Sequence, residues 1–221
     1  VLLDGTVWLL TENDGAIRVV TLPEKNYTTK PEIYSTKSGL FPADHFYQVY
    51  QDRAGNNWLL TDNGLGMIRP GERQPVNYFV ETQGKQDGMN QAFYAVRECE
   101  DDICFTSDRG RIWCYQKKSG EFRLHELPTK ARITSIHAVG NDNTVVTTDS
   151  DGFFLSNLKT NKHIHYSPVT CKELSDQPIL SAYVDRTSEV WFEQEEPGVV
   201  VHFNPATGVV KREQMRVEYS N

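Results

Sequence analysis

The chain has 221 residues, 38% of them hydrophobic and 24% charged, a composition that excludes an intrinsically disordered protein. Acidic residues outnumber basic ones by 30 to 23. The net charge of −7 argues against a nucleic-acid partner, because a phosphate-binding surface needs excess Lys and Arg. No segment approaches the roughly 18 apolar residues of a transmembrane helix, so no membrane span is predicted within the chain.

A short motif recurs along the chain and predicts its architecture. A polar turn with Asp or Gly leads into a strand with Trp, two apolar residues and Thr, and a second turn with Gly follows. The two strongest copies run from Asp4 to Gly15 and from Asp52 to Gly64. The repeat positions that we single out are Trp8, Thr11, Asp52, Gly55, Trp58, Thr61, Gly64 and Trp191.

The spacing of the copies reveals three further, weaker ones. Aligned on Thr11, Thr61, Thr106, Thr148 and Gln194, successive copies lie 50, 45, 42 and 46 residues apart. A period of about 40–50 residues is typical of β-propeller blades. Alternating apolar strands flank each copy, and turns rich in Gly, Asn, Asp and Pro separate them, which gives four short strands per repeat.

In chain order, the repeats predict a partial blade over 1–45, followed by four blades over 46–92, 93–131, 132–178 and 179–218. We therefore expect an all-β fold, a β-propeller of four-stranded antiparallel blades that forms a single segment over 1–221. Propellers close with about four to eight blades. Five blades close only if the C-terminal end supplies the strand that the first blade lacks, so we expect part of a larger ring of the seven-bladed type.

The second copy, from Val49 to Leu65, resembles the two-component-regulator propeller repeat, in which an Asp, Gly, Asn and Trp turn leads into a strand ending in Thr, then Asn-Gly-Leu. The first and fifth copies resemble it more loosely. The third lacks the Trp, and the fifth lacks the Gly and the Thr. Such repeats build the periplasmic sensor regions of hybrid two-component histidine kinases, especially in Bacteroidetes.

The resemblance implies a function in signal transduction. It implies an extracytoplasmic ligand-sensing domain, on the periplasmic or extracellular side of the inner membrane, that detects glycans or their fragments. The signal would pass to a cytoplasmic kinase or regulator that this chain does not contain. The family has no catalytic or ligand motif that transfers to single residues. We therefore assign no catalytic residue, cofactor or metal, and the ligand-binding residues stay unknown.

Two other functions stay open. A propeller glycoside hydrolase or lyase needs two carboxylates about 5–10 Å apart, and the sequence has two acidic clusters beside predicted turns, where solvated charges are the simpler interpretation. They are Glu98, Glu100, Asp101 and Asp102, and Glu193, Glu195 and Glu196. The other function is a protein-interaction scaffold, with further blades or domains of the same protein, or a second copy, pairing with exposed edges. His163 and His165 would share one face of a strand and could bind a metal with a third ligand.

The Trp and Cys residues each allow two interpretations. Trp8, Trp58 and Trp191 fill the space between neighbouring blades, or they stack on a sugar. If Asp101 and Asp102 form a hairpin turn, Cys99 faces Cys104 within reach of a disulfide. The alternative is that Cys99 and Cys104 are two small buried thiols.

Overall fold

The computed structural model describes residues 2, 5–19, 21–22, 27–28, 31–79, 91–98, 101–140 and 142–215, and every regular element within them is a β-strand. The strands are, in chain order, β1 (Val7–Leu10), β2 (Ala16–Val19), β3 (Thr21–Leu22), β4 (Tyr27–Thr28), β5 (Glu32–Tyr34), β6 (Phe46–Gln51), β7 (Asn57–Thr61), β8 (Gly64–Ile68), β9 (Val76–Tyr78), β10 (Phe93–Glu98), β11 (Asp102–Ser107), β12 (Arg111–Gln116), β13 (Phe122–Glu126), β14 (Ile133–Ala138), β15 (Asn143–Thr148), β16 (Phe153–Asn157), β17 (Lys162–Tyr166), β18 (Ile179–Val184), β19 (Val190–Gln194), β20 (Val199–Asn204) and β21 (Val209–Gln214).

These strands form sheets in which sequential strands lie side by side. Four sheets have four strands each, in the orders β6-β7-β8-β9, β10-β11-β12-β13, β14-β15-β16-β17 and β18-β19-β20-β21. A three-stranded sheet, β1-β2-β5, precedes them, and β3 and β4 form a separate hairpin. Consecutive antiparallel strands in sheets of four are the blades of a β-propeller, which confirms the predicted fold class.

The contacts divide the chain into two compact units, Val1–Tyr94 and Ala95–Asn221. In the first unit, the β1-β2-β5 sheet and the β6–β9 sheet pack face to face. Their shared core is a cluster of buried residues from both sheets and from the segment between them: Ala16, Tyr34, Phe41, Ala43, Phe46, Leu59 and Ile68. Phe41 lies so close to Gly66 that a Cβ there would stand 2.5 Å from its ring, so this close packing requires Gly.

The second unit stacks its three sheets in the same way. One core lies between the β10–β13 and β14–β17 sheets and includes Ile112, Ile136 and Phe154. A larger core lies between the β14–β17 and β18–β21 sheets, where the ring of Phe153 is 4.6 Å from that of Phe192 and 4.9 Å from that of Phe203. Aromatic side chains bury large areas, so these contacts dominate the stacking of the sheets.

The position of a strand within its sheet determines its burial. Every residue of β7 and β8, the two middle strands of their sheet, is buried, whereas β21 at a sheet edge is almost wholly exposed. Middle strands are buried because both of their faces are covered, which explains why β8 shows no alternation of polar and apolar residues. How many blades complete the ring, and whether 1–221 is one segment of it, stay predictions.

Candidate functional site

The Asp and Trp residues of the repeat form one hydrogen-bonded turn. Asp52 Oδ1 accepts from the backbone amides of Ala54 (3.0 Å) and Asn56 (2.9 Å), and its Oδ2 accepts from the Asn56 side chain and from Trp58 Nε1, both at 2.9 Å. Gly55 adopts φ +84° within this turn. Asp side chains commonly bond backbone donors two residues on. The motif therefore joins the turn to the buried indole by one carboxylate.

The fifth copy rebuilds this turn without the Gly. Asp185 Oδ1 accepts from the amides of Thr187 (2.8 Å) and Glu189 (3.0 Å), and Trp191 Nε1 donates to Asp185 Oδ2 at 3.0 Å. Ser188 takes the positive φ, at 67°. Hydrogen bonds from Thr187 and Trp191 lower the pKa of Asp185 to about 2. The hydrogen bonds of the Asp185 carboxylate therefore stabilise the turn.

The Thr of the repeat closes the next hairpin. Thr11, Thr61 and Thr148 each donate their hydroxyl to the carbonyl of the Gly that follows, at 2.7, 2.9 and 2.8 Å. In the third copy Ser107 makes the equivalent contact, to Arg111 at 3.4 Å, while Thr106 contacts Ala95 instead. The predicted alignment on Thr106 is therefore wrong by one residue. In the fifth copy Gln194 bonds backbone groups of Ser175 and Gln177 in place of the Thr contact.

The three Trp residues of the motif differ in exposure. Trp58 is fully buried, so it offers no face to a ligand. Trp8 is half-buried against Tyr34, with ring centroids 5.2 Å apart, and Arg18 lies over its ring. Trp191 is half-buried and stacks on His202 at 4.7 Å. All three rings contact protein side chains, and for the half-buried Trp8 and Trp191 the choice between packing and sugar stacking stays a prediction.

The disulfide in the structure differs from the predicted pair. Cys104 is bonded to Cys114, not to Cys99. Cys104 and Cys114 lie directly opposite each other in the antiparallel register of β11 and β12, which brings their side chains together. The prediction considered only the hairpin on one side of β11, although a middle strand pairs on both sides. Cys99 itself lies outside the described residues.

Three carboxylates of the acidic clusters are engaged in ion pairs. The side chain of Glu98 is buried and bonded to Lys117 at 2.6 Å. Lys118 bonds Asp101 at 3.0 Å and lowers its pKa, and Glu196 pairs with Arg212. A glycosidase acid needs a raised pKa so that it holds a proton near neutral pH. Asp101 has the opposite environment, and Glu98 and Glu196 are each held by a cationic side chain. Glu100 lies outside the described residues.

The histidines do not converge either. His163 and His165 share one face of β17, opposite Ser156 and Phe154, but His165 bonds Asp151 and stacks on Phe154. Burial lowers the pKa of His163, so it is neutral at pH 7. Among the described residues, no three His, Cys, Asp or Glu side chains are placed to hold a metal ion.

The first strands of three sheets share a distortion that the sequence did not predict. In β6, β14 and β18 the pairing skips one residue, so that Tyr47, Thr134 and Leu180 stand outside the ladder as β-bulges. Bulges at sheet edges redirect a side chain and are over-represented beside binding sites. The bulge residue differs from copy to copy, whereas the preceding residue is a buried anchor each time, Phe46, Ile133 or Ile179.

An aromatic cluster, formed by His45, Tyr47 and Tyr94, surrounds the first of these bulges. The ring centroids of His45 and Tyr47 are 4.6 Å apart, and those of Tyr47 and Tyr94 are 4.8 Å apart. Tyr47 is 38% exposed. The dipeptide Phe-Tyr at the start of both β6 and β10 is the signal that could have located this cluster in the sequence.

The second unit contains a small polar cavity of about 180 Å³ in the β18–β21 sheet. Glu189, His202, Asn204 and Lys211 line it, together with Thr207 and Val209. His202 lies between Glu189 and Glu213, with nitrogen–oxygen distances of 3.5 and 3.3 Å. The cavity is smaller than the roughly 300 Å³ of typical ligand pockets.

Comparisons with known proteins show the fold. No family model matches the chain, and no curated protein matches it. Among solved structures, the chain is similar to the extracellular domain of a B. thetaiotaomicron protein described as a one-component system, with a TM-score of 0.73, 18% identity and coverage of 97% of this chain. It is also similar to the extracellular domain of a B. thetaiotaomicron protein described as a hybrid two-component system, with a TM-score of 0.63, 17% identity and coverage of 78% of this chain.

The chain spans only part of those domains, 30% of the first and 25% of the second. It also matches the virginiamycin B lyase of Staphylococcus aureus, with a TM-score of 0.65, 17% identity, and coverage of 97% of this chain and 71% of the lyase. At these identities the likeness defines a class, the β-propellers. It agrees with the resemblance to sensor propeller repeats. No helix in the described part of the chain is long and apolar enough to cross a membrane.

Proposed function

We propose that this chain is part of the extracytoplasmic sensor region of a two-component or one-component signalling protein and that it binds glycans or their fragments. The observation that carries the proposal is the coincidence of two independent likenesses. The repeat from Val49 to Leu65 resembles the sensor propeller repeat, and the fold matches the extracellular domains of two such signalling proteins over most of this chain. Signalling would reach a kinase or regulator outside this chain.

A second candidate function is that of a lyase, favoured by the likeness to virginiamycin B lyase. The ion pairs of Glu98, Asp101 and Glu196 speak against a carboxylate acid in the acidic clusters. Calorimetric titration of the chain with oligosaccharides, followed by chromatography of the same sample, separates the candidates. Saturable binding with intact sugar supports the sensor, whereas sugar cleavage, or turnover of virginiamycin B, supports an enzyme. If the chain shows neither binding nor turnover, the function that remains is a protein-interaction scaffold.

Further blades of the same protein are the partners that we propose for the outer sheet faces of the chain. On the β1-β2-β5 sheet, Leu9, Ile17 and Ile33 align directly across the strands, on the face opposite to the buried Ala16 and Tyr34. Leu9 and Ile33 are 54% and 46% exposed. An apolar row of this kind fits the apolar stacking seen between the other sheets. A homodimer through this face is the alternative, and sedimentation of the chain distinguishes the two.

A further inference from the structure

The aromatic cluster has the features of a binding surface that packing alone does not require. Phe46 and Phe93 precede Tyr47 and Tyr94 and are buried in the first unit, so the Phe side chains anchor the two strands. Tyr47 instead keeps more than a third of its surface exposed although its ring contacts two other rings.

The backbone holds the cluster in a fixed position. The hairpin between β7 and β8 is tied to both segments that carry it: Asp62 N donates to the carbonyl of His45 at 3.3 Å, and Gly64 N donates to that of Gln91 at 3.0 Å. The side chain of Asn63 in the same hairpin donates to Pro42 at 2.7 Å. A site whose supporting backbone is already ordered loses little entropy when it binds a ligand.

Tyr47 occupies a bulge position at which the side chain differs from repeat to repeat while the backbone distortion is the same. Phe46 pairs with Thr61 and Gln48 with Leu60, so the pairing skips Tyr47 between two regular positions. Thr134 and Leu180 occupy the equivalent bulges of β14 and β18. A position with a constant backbone and a variable side chain is suited to recognition, because its side chain can change without disturbing the core.

The chemistry of the cluster selects the ligand. Tyrosine and histidine rings present an apolar face and a polar edge that both donates and accepts hydrogen bonds. A pyranose ring has the matching pattern, since its axial C–H groups form an apolar face and its hydroxyls surround it. The net charge of −7 disfavours an anionic sugar. We propose that His45, Tyr47 and Tyr94 form a binding site for one pyranose ring of a neutral oligosaccharide, which deepens, and rests on, the proposed sensor function.

The test is calorimetric titration of the 221-residue chain and its variants with cellopentaose, maltopentaose and xylopentaose. Tyr47→Ala and Tyr94→Ala should each raise the dissociation constant of the bound sugar about tenfold or more, a loss of about 1.4 kcal/mol. Tyr47→Phe keeps the ring and should stay within about threefold of the original value. Tyr183→Ala is the matched control, because Tyr183 is a 65% exposed tyrosine on another first strand and should leave binding unchanged.

The outcomes separate this inference from the function on which it rests. If the unmodified chain binds a sugar and both alanine variants bind it with the same dissociation constant, the proposed site is wrong and the proposed sensor function is unaffected. Binding to none of the three sugars overturns both. Unfolding midpoints measured beside each titration show whether a variant is folded, and Tyr47→Gln, which keeps a polar side chain at the exposed position, replaces Tyr47→Ala if that variant unfolds. Tyr47→Gln should weaken binding to the same extent.

Discussion

Removal of the Asp52 carboxylate is the sharpest test of how the repeat stabilises a blade. Asp52 is only 3% exposed and accepts four hydrogen bonds, one of them from the fully buried Trp58. A hydrogen bond to a charged group contributes about 1.5–3 kcal/mol, and contributions within one network are not additive. Water can replace the carboxylate at the turn amides but does not reach the buried indole, so we expect Asp52→Ala to lower the free energy of unfolding by about 3–5 kcal/mol.

Asp185 supplies a control within the same chain. Its carboxylate accepts the equivalent bonds from Thr187, Glu189 and Trp191, but Asp185 and Trp191 are only half-buried. Water can therefore replace much of what Asp185→Ala removes. Urea unfolding followed by Trp fluorescence gives both values. Equal losses for Asp52→Ala and Asp185→Ala would refute the reasoning, because burial of the indole bond is the feature that distinguishes the two turns.

Three further outcomes follow from single contacts. Cys104→Ser removes the Cys104–Cys114 disulfide, which spans a sequence separation of 10, and should lower the free energy of unfolding by about 2–3 kcal/mol in non-reducing urea. Cys171→Ser keeps the disulfide and should lose stability on reduction as the unsubstituted chain does, whereas Cys104→Ser should not respond to reductant; equal stability of the unsubstituted chain with and without reductant would contradict this. Gly152→Ala places a Cβ 2.1 Å from the carbonyl oxygen of Tyr166 and should lower the thermal unfolding midpoint. Gly140→Ala is the control, because Gly140 also has a positive φ but has open space around it, so its midpoint should fall far less. Similar midpoints for the two variants would contradict the packing around Gly152. Burial raises the pKa of Tyr34 from 10.0 to about 12, so the contribution of its neutral hydroxyl to stability is present below pH 10 and lost between pH 10 and 12. Tyr34→Phe should remove that part of the fall in unfolding free energy at alkaline pH. An unchanged dependence of the unfolding free energy on pH would contradict this contribution of Tyr34.

The parts of the structure that follow from local chemistry could be predicted from the sequence. The turn from Asp52 to Trp58 combines a carboxylate, a Gly with positive φ and an indole at fixed spacing, so residue types alone reveal this copy. The sequence alignment missed Ser107 because the repeat preserves a hydroxyl that donates to a carbonyl, whereas the residue type can be Ser or Thr. An alignment on residue type therefore chose the neighbouring Thr106.

The features that depend on pairing between strands could not be predicted in the same way. Cys104 lies on a middle strand with partners on both sides, and only the register shows that Cys114 is opposite. The bulge at Tyr47 leaves no mark in the local sequence, since it consists of a residue skipped by the ladder. The Phe-Tyr dipeptides mark the two strands that carry the aromatic cluster, but the distance between the two tyrosines is a tertiary property.

The most direct measurement of the central claim is to sequence the gene on both sides of the segment that encodes this chain. A sensor propeller acts only when it is connected across a membrane to a signalling module. We therefore expect more propeller blades, a hydrophobic helix of about 20 residues, and then a kinase or DNA-binding module. A gene that encodes a propeller with neither a membrane helix nor a signalling module would contradict the sensor function.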